Sequence, residues 1–201
     1  CMGGGFTVAA GMAKAFEQTG QKDKRVFGVL GDSTFFHSGM TGAAEIRYNG
    51  ADVIPVVLDN STTGMTGHQD NPGTGRSLQG EMAEKLSIEN ILRACGYENV
   101  LIVDPLDLSA MEGAVQEALK SERPAAIITR SPCLLIRGLP KPRTVCAVNQ
   151  ARCVGCRKCL RAGCPAIHME GKRAAIDGAQ CAGCTVCAQI CPKGAIEEKE
   201  R

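Results

Sequence analysis

Twelve cysteines punctuate a chain of 201 residues, and eight of them fall between 153 and 191 in two runs of one design. Cys153, Cys156 and Cys159 are followed by Cys164-Pro165; Cys181, Cys184 and Cys187 are followed by Cys191-Pro192. Each run closes on a similar tail, "CPAIHME" and "CPKGAIEE", the mark of an internal duplication. Three thiolates spaced by two residues can curl round one iron–sulfur cube, each on its own iron. The proline then turns the chain so that the fourth cysteine reaches the other cube. The spacing assigns Cys153, Cys156, Cys159 and Cys191 to one [4Fe–4S] cluster, and Cys181, Cys184, Cys187 and Cys164 to a second. Zinc knuckles lack the evenly spaced third cysteine, and secreted disulfide frameworks do not repeat such a run. Thiolates serving a soft metal in a reducing cytoplasm fit better. The first run has one residue more before its last cysteine than the usual bacterial spacing, which should enlarge the loop near Cys164 without removing a ligand. Small residues in "VGC" and "AGC" let backbone N–H groups approach the sulfurs.

A second constellation lies in the front half. Gly31-Asp32-Ser33 follows one apolar run, and Asp59-Asn60 ends the next. The Asp32 carboxylate, the Asn60 amide oxygen and the backbone carbonyl of Thr62 are three hard oxygen ligands. Magnesium takes about six at about 2.1 Å, and a diphosphate can supply two more. Gly31 lets the backbone come close to a ligand. His37 and His68 lie on the two loops concerned and are candidates for contact with a substrate carboxylate or intermediate. His168 has no such setting. Cys1 and Cys95 read as packing residues, and Cys133 and Cys146 flank the boundary between the two halves.

These residues need elements to position them. "GGGFTVAAGMAKAFEQTG" predicts a helix ended by Gly20; 41–50, 87–96 and 108–121 predict three more. Strands are predicted at 25–30, 52–60, 100–103 and 124–130. Strand–helix alternation with β-branched apolar runs gives the fold class: α/β, a mostly parallel sheet with helices on both faces. Ligands in such folds sit at the carboxyl ends of the strands, where the expected loops at 31–38 and 59–80 lie. The second of these is too long to be a mere connector. "SPCLLIRGLPKPR" (131–143), with its three prolines, ends the pattern. The expected domains are 1–136, a linker at 137–147, and a small α+β double-cluster domain at 148–201.

Composition narrows the classes. Apolar residues make up 44%, enough for a core, and no stretch approaches the roughly 18 apolar residues of a membrane span. A net charge of +2 and only 3% aromatics argue against a nucleic-acid partner. No signal peptide is visible, and the chain begins at Cys1 within "CMGGGF", so a missing upstream part is expected. Residues 145–201 hold nine Lys/Arg against five Asp/Glu before any cluster is bound; Arg157, Lys158 and Arg161 form a basic group that reads first as solvated charge compensating the cluster, with docking of an acidic electron carrier as the alternative.

Gly31-Asp32-Ser33 with Asn60 resembles the G-D-G…N-N motif of thiamine diphosphate enzymes, Ser33 standing in place of the third glycine. That loop, then a linker, then a double-cluster ferredoxin-like domain is similar to the order found in the 2-oxoacid:ferredoxin oxidoreductases. "GDSTFFHSGMTG" and "NSTTGMTGHQDNPGTG" look like the arylpyruvate-acting branch of that family. The resemblance implies a thiamine diphosphate-binding fold in which Gly31, Asp32, Ser33, Asn60, Thr62, Gly64, Met65 and Thr66 hold the cofactor, with Asp32, Asn60 and Thr62 on Mg²⁺. It implies a cytoplasmic oxidoreductase converting indolepyruvate and coenzyme A to the aryl-acetyl-CoA, CO₂ and reduced external ferredoxin. Pyruvate, 2-oxoglutarate and branched-chain 2-oxoacids are the substrate alternatives, and a non-catalytic electron-transfer module is the functional one. Family members also need a glutamate against the aminopyrimidine ring. No residue here fits that place, so an upstream domain of the chain, a smaller (beta) subunit, or both must supply it.

Overall fold

The computed structural model describes residues 1–21, 23–136, 138 and 144–200. Four apolar runs form one parallel sheet: β1 (Val26–Gly31), β2 (Val53–Asp59), β3 (Asn99–Val103) and β4 (Ala125–Arg130), in the order β1-β2-β4-β3. The central strands β2 and β4 are buried on both faces, which is why they read as near-continuous apolar runs, VIPVVL and AAII, rather than alternating ones. One face is covered by α1 (Gly4–Gln18), α3 (Met40–Tyr48) and α4 (Ile88–Ala94), through a core that includes Phe6, Ile46, Val57, Leu92 and Ile128. The other face is covered by α5 (Leu108–Lys120), which packs on Ile54, Val56, Val103 and Ile127. Helices on both faces are therefore as expected. At the edge strand β1, Phe27 and Val29 stay exposed on the side facing away from α1.

The expected loop at 31–38 is corrected. Asp32–Thr34 is already helical (α2), and the chain continues through a π turn at Phe35–Gly39 into α3. Burial decides this: Phe35 is fully enclosed, its ring edge-on to Phe6 with centroids 6.5 Å apart, and a loop would leave it without that partner. The long loop after β2 runs on to Ser87. It is pinned by two isolated bridges, Thr63 to Gln69 and Arg76 to Met82, and ends where the Ser87 side chain accepts a hydrogen bond from the Asn90 N–H, capping α4.

The chain divides into two units, Cys1–Pro105 with Ser109–Ile136, and Leu106–Leu108 with Arg137–Arg201. Of the expected linker, 137 and 139–143 lie outside the described residues, and its end is corrected. Thr144–Val148 is a strand, β5, whose Val145 and Cys146 enter the core of the second unit. β5 pairs antiparallel with β8 (Ile196–Glu200), and β6 (Ile167–Glu170) pairs antiparallel with β7 (Arg173–Ile176).

The duplication is written in the backbone of this unit. Gly155 and Gly183, 28 positions apart, are both left-handed (φ 68° and 72°), as are Arg157 and Thr185 (φ 61° and 58°). Asn149 and Asp177 each close a turn by accepting backbone N–H bonds through Oδ1. The copies differ after the third cysteine: a 3₁₀ turn at Lys158–Ala162, ended by left-handed Gly163, faces a helical turn, α6 (Val186–Ile190). The extra residue of the first run is taken up in that turn.

Candidate functional site

Asp32 begins where β1 ends, and Asn60 follows directly on β2. β1 and β2 are parallel neighbours with Gly31 beside Leu58, so both side chains belong to one sheet edge. Two further contacts join them. The Thr62 backbone N–H points at the Asp32 carboxylate, and the Thr63 hydroxyl donates to Ser33 Oγ at 2.9 Å. Asn60 Oδ1 accepts the Thr62 N–H at 3.1 Å, folding the chain back over the strand end. Asp32, Ser33, Asn60 and Thr62 are thus brought together. Gly64, Met65 and Thr66 form a 3₁₀ turn farther along the same loop, with Met65 exposed.

Asp32 is 3% exposed. Burial pushes its carboxyl above the ordinary value; N–H groups from Ser33, Asn71 and Thr62 pull it back, while neighbouring Asp59 pushes it further up. No lysine or arginine pairs with it among the described ion pairs; Arg130 is taken by Asp59, at 2.8 Å. A buried carboxylate with dipolar donors and no countercharge suits a cation. Asn60 Oδ1, at the end of the neighbouring strand, accepts a single N–H among the described hydrogen bonds, one fewer than a carbonyl oxygen can take. A cavity of about 330 Å³ opens alongside, lined by Asp32, Phe36, Asp59, Ser61, Lys85 and Arg130 among others, at the lower end of the range of small-molecule sites.

The residue that sequence reasoning missed is Asn71. Its side-chain amide donates to Asp32 Oδ2 at 3.1 Å, and both residues are buried. Only its place in the "DNPGTG" loop gave any signal. The two histidines are exposed. His37 sits in the π turn; His68 is left-handed (φ 65°), with Nε2 3.9 Å from Cys133 Sγ.

In the second unit, Cys153, Cys156, Cys159 and Cys191 line one pocket with Val148, Ala174 and Ala195 among its walls, the set that the spacing had assigned to one cluster. Backbone N–H groups already aim at the sulfurs. Ala174 and Gly155 donate to Cys153 and hold its thiol below the usual range; Ala195 donates to Cys191 at 3.3 Å. Burial pushes the Cys159 thiol up, with Cys191, Cys153 and Cys156 close enough to add to the effect. Around the second run, burial and the nearby thiols of Cys146, Cys184 and Cys181 push Cys187 up to about 12. Gly183 and Cys146 each give a backbone N–H to Cys181 Sγ, at 3.4 and 3.3 Å. Cys164 packs against the same core. Cys146 is a further thiol here, standing where the other copy has Ala174. Cys95 packs against the first core as expected, whereas Cys1 is exposed.

Among the described residues, no three His, Cys, Asp or Glu groups gather as the ligands of a single metal ion would. A cube spreads four thiolates over four irons, so its ligands stand farther apart than those of one ion. The oxygen set contributes only one such group, Asp32. No helix among the described residues is long and apolar enough to cross a membrane.

Residues 1–129 match the family described as "Thiamine pyrophosphate enzyme, C-terminal TPP binding domain". Among curated proteins, the chain is 41% identical over 197 residues to indolepyruvate oxidoreductase subunit IorA of Methanothermobacter marburgensis, covering 98% of this chain and 31% of that protein. The IorA of Pyrococcus horikoshii is 38% identical over 213 residues, covering 98% and 33%. A 66-residue stretch is 41% identical to a component of the ion-translocating oxidoreductase complex of Methanosarcina acetivorans, covering 32% of this chain and 25% of that one. The chain spans about a third of the length of the IorA relatives it matches.

Proposed function

Because the chain belongs to the thiamine pyrophosphate enzymes, through their C-terminal TPP-binding domain, we propose that it is the diphosphate-binding and electron-exit part of a 2-oxoacid:ferredoxin oxidoreductase acting on indolepyruvate and related arylpyruvates. The observation that carries this reading is the convergence of Asp32, Asn60 and Thr62 on one sheet edge, with Asp32 buried and in no ion pair among the described residues. When bound, thiamine diphosphate supplies the decarboxylating carbon centre and the two [4Fe–4S] clusters accept electrons singly.

The chain's own residues have separable tasks. Asp32, Asn60 Oδ1 and the Thr62 carbonyl would hold Mg²⁺; Gly31, Ser33, Gly64, Met65 and Thr66 would flank the diphosphate. Cys153, Cys156, Cys159 and Cys191 would bind one cluster, and Cys181, Cys184, Cys187 and Cys164 the other. The N–H donors on Cys153, Cys191 and Cys181 would stabilise negative charge on those sulfurs. His37 and His68 are solvent-accessible donors for a substrate carboxylate. Reading the second unit as a ferredoxin-like domain rests on its duplicated cysteine runs. The activating glutamate would come from an upstream part of the same chain, from the smaller partner chain or from both, and coenzyme A and the external ferredoxin would join as separate molecules.

Two measurements test this. Calorimetry should show thiamine diphosphate binding that requires Mg²⁺. The complete complex under anaerobic conditions should reduce ferredoxin with indolepyruvate and coenzyme A faster than with pyruvate, 2-oxoglutarate or branched-chain 2-oxoacids. Absence of cofactor binding in the complete complex leaves an electron-transfer module; a preference for pyruvate moves the substrate.

A further inference from the structure

Asp32 and Asn71 are 39 positions apart, yet each is the other's buried polar partner. Asp32 Oδ1 takes the Ser33 N–H at 2.8 Å, and Oδ2 takes the Asn71 amide at 3.1 Å. The other end of the Asn71 side chain is equally committed: its Oδ1 accepts the Gly73 N–H at 2.9 Å. Its backbone carbonyl accepts both the N–H and the hydroxyl of Thr74. Gly73 lies so close to the Phe36 ring that a Cβ there would stand 3.0 Å from Cε2 and 3.2 Å from Asn71 Oδ1. The Pro72 carbonyl accepts the Leu86 N–H at 2.9 Å, tying this part of the loop to its far end.

We propose that Asn71 is a positioning residue for the metal-binding carboxylate. Its amide fixes the rotation of Asp32 and joins the loop spanning 61–86 to the carboxylate that would hold the ion. The inference rests on the reading of Asp32 as a magnesium ligand. An amide N–H on one carboxylate oxygen leaves the other directed, and it removes the freedom that metal binding would otherwise have to freeze out. Asn71 is 7% exposed, so its amide is kept from water and depends on Asp32 and Gly73 for its hydrogen bonds. Occupancy of the ion site and order in the loop become linked: whatever holds Asp32 in its bound orientation also holds Asn71 down.

The test uses Mn²⁺ in place of Mg²⁺ and the complete protein with saturating thiamine diphosphate. Free Mn²⁺ is read by its electron paramagnetic resonance signal, and tryptic cleavage at the exposed Arg76 reports the loop. Asn71→Ala should weaken Mn²⁺ binding about 10–100-fold and abolish the protection of Arg76 that Mn²⁺ confers on the wild type. Asn71→Ser, smaller but still polar, serves the same comparison if the alanine variant does not fold. Thr74→Val removes both bonds between its hydroxyl and the Asn71 backbone but leaves the Asn71 side chain and Asp32 untouched; it should loosen the loop while leaving Mn²⁺ affinity near wild type. Equal loss in the Asn71 and Thr74 variants would reduce Asn71 to ordinary loop stability and overturn the proposal, as would wild-type Mn²⁺ affinity in Asn71→Ala. No cofactor-dependent Mn²⁺ binding in the wild type itself would overturn the magnesium reading on which the proposal stands.

Discussion

At the scale of single residues, Asp32 carries opposite demands. Burial raises its folded pKa above the ordinary 3.8, so the metal-free chain binds this proton more readily folded than unfolded. Its contribution to stability is therefore fully present below the unfolded value and is lost as pH rises through the folded one. Cation binding needs the carboxylate and runs the other way. In thermal melts across this acid range, the metal-free protein should gain stability from Asp32 on acidification while the stabilisation by Mg²⁺ and thiamine diphosphate disappears; Asp32→Asn should abolish both responses. Identical pH profiles for the two proteins would refute the assignment. Asp32, Asn60 and Thr62 were legible in the sequence because parallel neighbouring strands deliver their carboxyl ends to one place. Asn71 was not, since a hydrogen bond across a long irregular loop leaves no periodicity to read.

At the scale of elements, sequence pattern located every strand of the sheet to within a residue or two, because buried parallel strands are short β-branched runs between glycines and polar turns. It failed at 32–40, where "DSTFFHSGM" has no helical stripe of its own and becomes helical by burying Phe35 and Phe36. It failed again at β5, since five residues beside a proline cluster give too little pattern to separate a strand from a linker. The cysteine turns can be tested directly. Gly155 is left-handed, and a Cβ on it would overlap the Lys172 carbonyl oxygen, whereas Gly163 is left-handed with open space around it. Gly163→Ala should cost about 1–2 kcal/mol, the conformational term alone. Gly155→Ala should in addition displace the turn that presents Cys153 and Cys156, so iron bound per chain should fall well below that of Gly163→Ala. Equal iron contents would show that the turn tolerates the displacement.

At the scale of the whole molecule, the two units answer to one proposed sequence of events: carbon chemistry beside Asp32, and electron exit past the cysteines. Within the second unit, Arg157 and Lys158 are exposed beside Cys156. Reversing both charges should slow reduction of an acidic ferredoxin at low ionic strength, with the difference shrinking as salt is added; a salt-independent rate would remove this surface from carrier docking. The pairing of strands in this unit has a consequence of its own. β5 and β6 belong to the first copy of the duplication, β7 and β8 to the second, and both ladders cross from one copy to the other. Neither half owns a complete hydrogen-bonded pair. Expressed separately, the two copies should each lack a partner strand for both of their own and so need each other to complete either ladder, a dependence that mixing the two peptides and following the recovery of β structure by circular dichroism would check.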